Sequence, residues 1–420
     1  MTWDFQAAPS MPARQVSTSQ LERLEFALAA VAVFLSPMNF LRHPVVFVTL
    51  SDVFALLCLA VMFVRRAVPL RPLGSYTPMW MAGAMFVFGG LLTSSAVFGD
   101  PNRGMIVALQ YFYSLVVLPL IIAGRPIPQT VSLAKIFLLS IFLMCIFGIY
   151  LIEYDGQTNT RFVSGSRRMQ SFVERENECA SLIALTFPLL FWLRSQGHLS
   201  LVAAAVSVAA MFYGVLLTGS NTGLLALLGA CYIYFAAKIS LRSLTFGTIG
   251  LAGAAFIVIS RGKDVLPAVF QKRVLPALES GDISQAGTAT ERLALIYESL
   301  DVAQRTALLG IGADQYRLQS HLNQVVHNSY LLIWSEGGLI GLAGLLLILL
   351  TGFCLAGAAN WVGKNKDAGL CALTTFLVFA LTINAVPHIY ARFWYVPLLL
   401  SAGIAVAALR PAMPPARGGR

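Results

Sequence analysis

The residues best suited to chemistry sit in one short stretch, Val326-His327-Asn328-Ser329-Tyr330-Leu331-Leu332-Ile333-Trp334-Ser335-Glu336-Gly337-Gly338-Leu339-Ile340-Gly341. A neutral imidazole at His327 can accept a proton from a hydroxyl. The alternative is a histidine that caps a helix. Tyr330 and Leu331, three and four residues on, share its helical face. Glu336 falls in the apolar run that follows, where a carboxylate is costly and reads as functional by default; its alternative is to cap backbone groups of a broken helix. Gly337, Gly338 and Gly341 fit the close approach of two helices. His321 lies in the same loop, six residues before His327, and is a second candidate for the base or its partner.

A second cluster is basic. Arg161, Arg167, Arg168 and Arg175 fall within 15 residues, among Glu153, Asp155, Glu174, Glu176 and Glu178. They read either as surface ion pairs or as an anion site, to which arginine is suited because its fork donates bidentate hydrogen bonds and stays charged. Further on, Arg292, Ile296, Leu300 and Ala303 follow a helical period inside a long polar segment.

The elements that hold these residues must be membrane helices. Of 420 residues 57% are hydrophobic and 11% charged, and the mean hydropathy is +0.75. A soluble domain carries roughly 25% charged residues, so the composition excludes a disordered chain, a secreted disulfide scaffold and an ordinary cytosolic enzyme. The six cysteines, Cys58, Cys145, Cys179, Cys231, Cys354 and Cys371, lie in or beside apolar runs and read as small core residues. A spanning helix needs about 20 apolar residues. Twelve candidates are found, at 24–41, 45–64, 78–98, 104–123, 131–152, 177–194, 199–217, 222–237, 243–259, 330–353, 368–386 and 393–409.

The expected fold is thus an all-α polytopic membrane protein of about twelve spans, which the family resemblance given below makes GT-C-like. Its divisions are a cytoplasmic tail at 1–23, nine spans at 24–259, a long partly helical periplasmic loop at 260–329, three spans at 330–409 and a second tail at 410–420. Neither end reads as a signal peptide. With the N-terminus inside, 15 basic residues fall on the cytoplasmic side and three (Arg42, Arg103, Arg392) in short outer loops, which favours both termini inside. The net charge of +10 then reflects topology more than an anionic partner.

At this point the chain resembles a known family. His327-Asn328-Ser329-Tyr330-Leu331 followed by Glu336-Gly337 and Gly341 is similar to the signature of the bacterial O-antigen ligase and polymerase superfamily. Thr218-Gly219-Ser220-Asn221-Thr222-Gly223 resembles its Ser-Arg-Thr-Gly segment opening a membrane helix. Gly310-Ile311-Gly312 after Arg292 resembles its outer-loop pattern, and the stretch from Arg161 to Asn177 its mid-chain segment. The likeness covers roughly 150–405.

The resemblance implies a metal-independent glycosyltransferase of the bacterial inner membrane, without a cofactor, that takes a glycan from undecaprenyl diphosphate on the periplasmic face. The acceptor is a lipid A–core sugar in ligases and a second lipid-linked glycan in polymerases. By resemblance His327 is the base on the acceptor hydroxyl and Arg292 holds the diphosphate. The family arginine in the Ser-Arg-Thr-Gly segment is Asn221 here, so one charged phosphate contact is absent. Arg161, Arg168, Arg175 or Arg392 are candidates to replace it. Arg392, with His388, Tyr390 and Trp394, is either an interfacial belt or a contact to acceptor or diphosphate. Direct attack by the acceptor predicts inversion at the anomeric carbon. Ligation to lipid A–core is the favoured reading, an O-antigen or exopolysaccharide polymerase the alternative, and a polar-lipid transporter or flippase the alternative of another class.

Overall fold

The computed structural model describes residues 18–238, 266–273, 289–362 and 365–410, with Thr245 and Thr248 besides. The described residues are helical, and their only strand-like features are two isolated bridges, Arg42 with Thr49 and Val163 with Met169. In chain order the helices are α1 (Thr18–Leu35), α2 (Leu50–Val64), α3 (Thr77–Val97), α4 (Pro101–Ile122, with a π turn at Tyr113–Val117), α5 (Ile127–Tyr154, ending in a π turn), α6 (Glu176–Ser195), α7 (Leu201–Thr218) and α8 (Asn221–Ala236). There follow α9 (Ala268–Arg273), α10 (Ala289–Arg305), α11 (Tyr316–Gln319), α12 (Ser329–Trp361), α13 (Lys366–Thr382) and α14 (Arg392–Leu409). Seven of them, α3 to α7, α12 and α14, are long and apolar enough to cross a membrane; α2 and α8 are shorter apolar helices.

Eleven of the twelve expected spans coincide with a helix, and the ninth, 243–259, lies outside the described residues apart from Thr245 and Thr248. The boundaries shift for local reasons. The first helix begins at Thr18, inside the expected tail, and ends at Leu35, just ahead of Pro37. The second begins at Leu50 rather than 45, because Thr49 and Asp52 form a reciprocal capping box there. The expected loop at 260–329 carries α9, α10 and α11.

Packing is inverted relative to a soluble protein. Large apolar side chains such as Phe86, Leu139, Leu143, Ile146, Leu346 and Leu350 are exposed, as lipid-facing surfaces require. Inside, α6 and α14 are buried along most of their length. The α3–α12 crossing is made by glycines. A Cβ on Gly90 would lie 2.5 Å from the Gly337 carbonyl oxygen and 2.6 Å from the Gly341 nitrogen; one on Gly344 would lie 2.6 Å from the Gly83 carbonyl oxygen. This is the close approach expected of Gly337 and Gly341.

Gly338 departs from that expectation. It adopts φ 67°, ψ −172° and breaks α12, a conformation open essentially to glycine alone. The carbonyls freed by the break find donors outside the helix. Ile311 N–H donates to Ser335 (2.8 Å), and Gly312 N–H (3.0 Å) and Ser94 Oγ (2.6 Å) donate to Glu336. Leu339 N–H donates to the Ala307 carbonyl (2.9 Å). The Glu336 carboxylate in turn accepts the Tyr316 N–H at 3.3 Å, so Glu336 caps backbone groups at a broken helix. At 33 residues α12 is about 50 Å long, well beyond the roughly 30 Å of a bilayer core. The 23 residues after the break, 339–361, span that thickness alone.

Candidate functional site

All the loops assigned to one side by the charge count gather at one end of the bundle. Asn39 Nδ2 donates to the Val173 carbonyl (3.4 Å), Arg103 pairs with Asp314 (3.7 Å), and Ser329 Oγ donates to the Val386 carbonyl (2.6 Å). The other end is tied by Glu25 with Arg65 and Arg125, and by Lys238 and Gln196 with Asp367.

His327 stands at that first end, just ahead of α12. Asn328 caps α12, accepting the Leu331 N–H at 3.1 Å, and Ser329 N–H donates to the Ile383 carbonyl at 2.8 Å. Val326 on the other side is fully buried in a small core with Leu295, Ile311, Tyr316 and Leu332. The imidazole is therefore held by its neighbours on both sides, and α10 is fastened to α12 by that core and by Ser299 Oγ against Ser335 Oγ (2.8 Å). The packing of Leu295 on Val326 brings Arg292, one helical turn earlier, towards His327.

The electrostatics confirm the approach. Burial first, then the charges of Arg292 and Arg175, lower His327 from 6.5 to about 4. Its imidazole is neutral at neutral pH. Nδ1 of His327 and Nε of Arg292 are both buried and make no hydrogen bond among the described residues. Two such groups left unpartnered side by side are costly, and such cost concentrates where a ligand is bound.

Arg168 joins this pair. Its Nε donates to the Thr218 carbonyl (2.7 Å) and Nη2 to Asn177 Oδ1 (3.0 Å), which seats it over the α7–α8 turn. Gly219 in that turn has φ 55°, and a Cβ there would lie 3.7 Å from both Arg168 Nε and Arg273 Cδ. Burial lowers Arg168 to about 10 against the pull of Glu176, and Arg273 and Arg292 lower it further; Arg292 is lowered by burial and by Arg273. Three guanidinium groups thus act on one another, and Glu176, 3.6 Å from Arg168, is the carboxylate ion-paired with Arg168 among the described residues. The turn itself opens α8: Ser220 Oγ accepts the Gly223 N–H (3.2 Å), and Asn221 is the first helical residue. Arg273 was not read from the sequence. The available signal was the pair Val269 and Phe270, which are buried and face the short α9 inward, with the basic Arg273 one turn beyond.

The other expected residues are placed differently. Arg161 pairs with Glu174 and donates Nη2 to the Phe40 carbonyl (2.8 Å), tying two loops together. Arg392 is 4% exposed and grips Asp52 with both Nε (2.7 Å) and Nη2 (2.5 Å). Arg175 is half exposed, pairs with Glu178 at 3.3 Å, and acts on both His327 and His388. Tyr330 donates its hydroxyl to the Ala380 carbonyl (2.9 Å), fastening α12 to α13. His321 is exposed, with its N–H given to Glu298 (2.9 Å). His388, left open between belt and contact in the sequence, is held neutral by burial and by Arg175, His327 and Arg317, and falls to about 3.

Two hollows lie at this end of the bundle. One, of about 310 Å³, is bordered by Val325, His388, Tyr390 and Glu336. The other, about 290 Å³, is an apolar groove between α8 and α13, from Thr222 to Gly229 and from Val378 to Ala385. Residues 204–346 match the family model of the O-antigen ligases. The matched third of the chain contains Asn221, Arg273, Arg292, His321, His327, Tyr330 and Glu336, and leaves out Arg161, Arg168, Arg175 and Arg392. No curated protein matches the chain. Seven of the described helices are long and apolar enough to cross a membrane, as in a multi-pass membrane protein, and the matched segment is similar to the O-antigen ligases.

Proposed function

We propose that this protein transfers a glycan from undecaprenyl diphosphate to a lipid A–core hydroxyl on the periplasmic face of the inner membrane, with His327 as the base. One observation carries the reading: His327 Nδ1 and Arg292 Nε are buried without a hydrogen-bond partner among the described residues, and the Arg292 charge acts on both His327 and Arg168. A cluster of three cations with one carboxylate suits a diphosphate. The groove between α8 and α13 begins at Thr222, three residues after Gly219, so an amphiphile with its anionic head on the arginines could lay its first isoprene units there.

The chemistry asks little more. The acceptor oxygen attacks the anomeric carbon of the donor sugar as the bond to the diphosphate oxygen breaks. The hydroxyl proton passes to His327, and the negative charge growing on the departing diphosphate falls on Arg292, Arg168 and Arg273, which are fixed before reaction begins. No covalent intermediate is required, and the product is inverted at the anomeric carbon. Arg168 takes the place left by Asn221, since of the candidate arginines it is the one seated on the α7–α8 turn. The test is transfer by purified protein in proteoliposomes supplied with lipid-linked glycan and rough lipopolysaccharide. His327→Ala should lose at least about 100-fold in rate, the lower end of the usual contribution of a positioned base, with an unchanged melting temperature. A variant that transfers at the wild-type rate removes His327 as the base.

A further inference from the structure

The hollow bordered by Val325, two residues before His327, is unlike the arginine cluster beside Arg292. Its wall combines two features that sugars with acidic substituents use. One is aromatic: the rings of Tyr111 and Tyr390 meet edge to face at 6.0 Å, and His388 lies 5.1 Å from Tyr390. Such faces pack on the apolar side of a sugar ring. The other is a charge excess at the mouth. Arg103 Nη1 and Arg317 Nη2 approach the same oxygen, Oδ2 of Asp314, at 3.7 and 3.5 Å. Neither guanidinium makes another side-chain hydrogen bond among the described residues, and the two side chains are about half exposed, at 50% and 44%. Two cations therefore share one carboxylate at long range, on two separate elements, the first turn of α4 and α11. Most donors of both forks stay free, in the geometry that favours a bidentate anion.

We propose that this hollow receives the acceptor glycan and that Arg103 and Arg317 bind a phosphate substituent on it. This rests on the reading of His327 as the base, because the hollow is lined by Val325, two residues before it, and by His388, on which His327 acts electrostatically, while Arg168 and Arg273 are not among its lining residues. The specificity it implies is for an acidic acceptor: a neutral core sugar would leave the two arginines repelling each other.

The experiment separates this from catalysis by measuring binding. In the His327→Ala background, rough lipopolysaccharide with its core phosphates intact, and the same material after chemical dephosphorylation, are titrated against protein in nanodiscs. The pair Arg103→Gln and Arg317→Gln is compared with the parent on both. For the parent, dephosphorylation should weaken binding about tenfold, as expected for one or two charge-assisted hydrogen bonds. The double substitution should weaken binding of the phosphorylated form by a similar factor, and the two losses should not add. Arg103→Lys and Arg317→Lys, which keep the charge and a conservative shape, should restore part of the affinity, and the effect should shrink with salt. Losses that add, or an equal loss on both acceptors, overturn the inference. So does a selective loss of lipid-linked glycan binding, which would make the hollow the donor's. Failure of the base assignment shows separately, as transfer surviving His327→Ala.

Discussion

The depressed basicity of His327 gives the sharpest expectation. Its value of about 4 against an ordinary 6.5 corresponds to roughly 3 kcal/mol favouring the neutral form, at 1.36 kcal/mol per unit. The sign is that of a base lost on acidification: the proton-accepting form is complete above about pH 5 and disappears as the pH falls through 4. An ordinary imidazole would be about 90% protonated at pH 5.5 and would leave about a tenth of the rate. Here kcat/KM for the lipid-linked donor, which reports the free enzyme, should be nearly equal at pH 5.5 and 7.5. The kcat profile, which reports the bound complex, should break at higher pH, because a diphosphate between Arg292 and Arg168 offsets the charges that depress the imidazole. Arg292→Gln removes one of those charges and should move the free-enzyme limb upward while raising the KM for donor. Transfer would be followed in proteoliposomes over pH 4.5–8 with the protein shown intact at each end. An acid limb in kcat/KM near 6.5, or one that Arg292→Gln leaves in place, refutes the argument that burial and arginine charge set this base.

Two further outcomes concern the frame of the site. Gly338→Ala puts a side chain at φ 67° and drives it into the Leu308 carbonyl; a cost of at least about 1–3 kcal/mol should lower the melting temperature in detergent and loosen the Ile311 and Gly312 amides, read by hydrogen exchange, and unchanged protection would deny the kink its role. Asp52→Asn leaves Arg392 buried without its counter-charge, which should destabilise by about 3–5 kcal/mol as measured by denaturation in detergent; a loss under 1 kcal/mol would show that the Phe47 carbonyl and the Tyr113 ring suffice.

Periodicity and hydropathy alone located most of the helices, because lipid demands long uninterrupted apolar runs. The ends moved where a local device outranked hydropathy, as at the Thr49–Asp52 box and at Pro37. The histidine motif was legible because a polar residue beside an apolar helix stands out against it. The kink was half legible: Glu336 suggested a broken helix, but which glycine of three would turn to positive φ depended on the Ala307–Gly312 segment lying across it, a contact between residues about 30 apart. His388 and Arg273 were not legible as site residues, since nothing in their own neighbourhoods distinguishes a belt histidine or a helix-ending arginine from ones that face His327 and Arg292.

What sorts the arginines is the carboxylate each is given, and this only the fold reveals. Arg392 with Asp52 and Arg161 with Glu174 are satisfied pairs whose forks hold backbone carbonyls as well; a diphosphate would have to break a buried bidentate contact to use Arg392. Arg292 has an Nε without a partner among the described residues, and Arg168 reaches its one ion-paired glutamate, Glu176, only at 3.6 Å. A protein with so few charges has little reason to bury three like charges together unless an anion visits them. The same reasoning explains how the chain manages with Asn221. An arginine there would add a fourth charge to the cluster that Arg168 already completes from the neighbouring loop, so the turn keeps a neutral residue beside a cation supplied from 50 residues earlier.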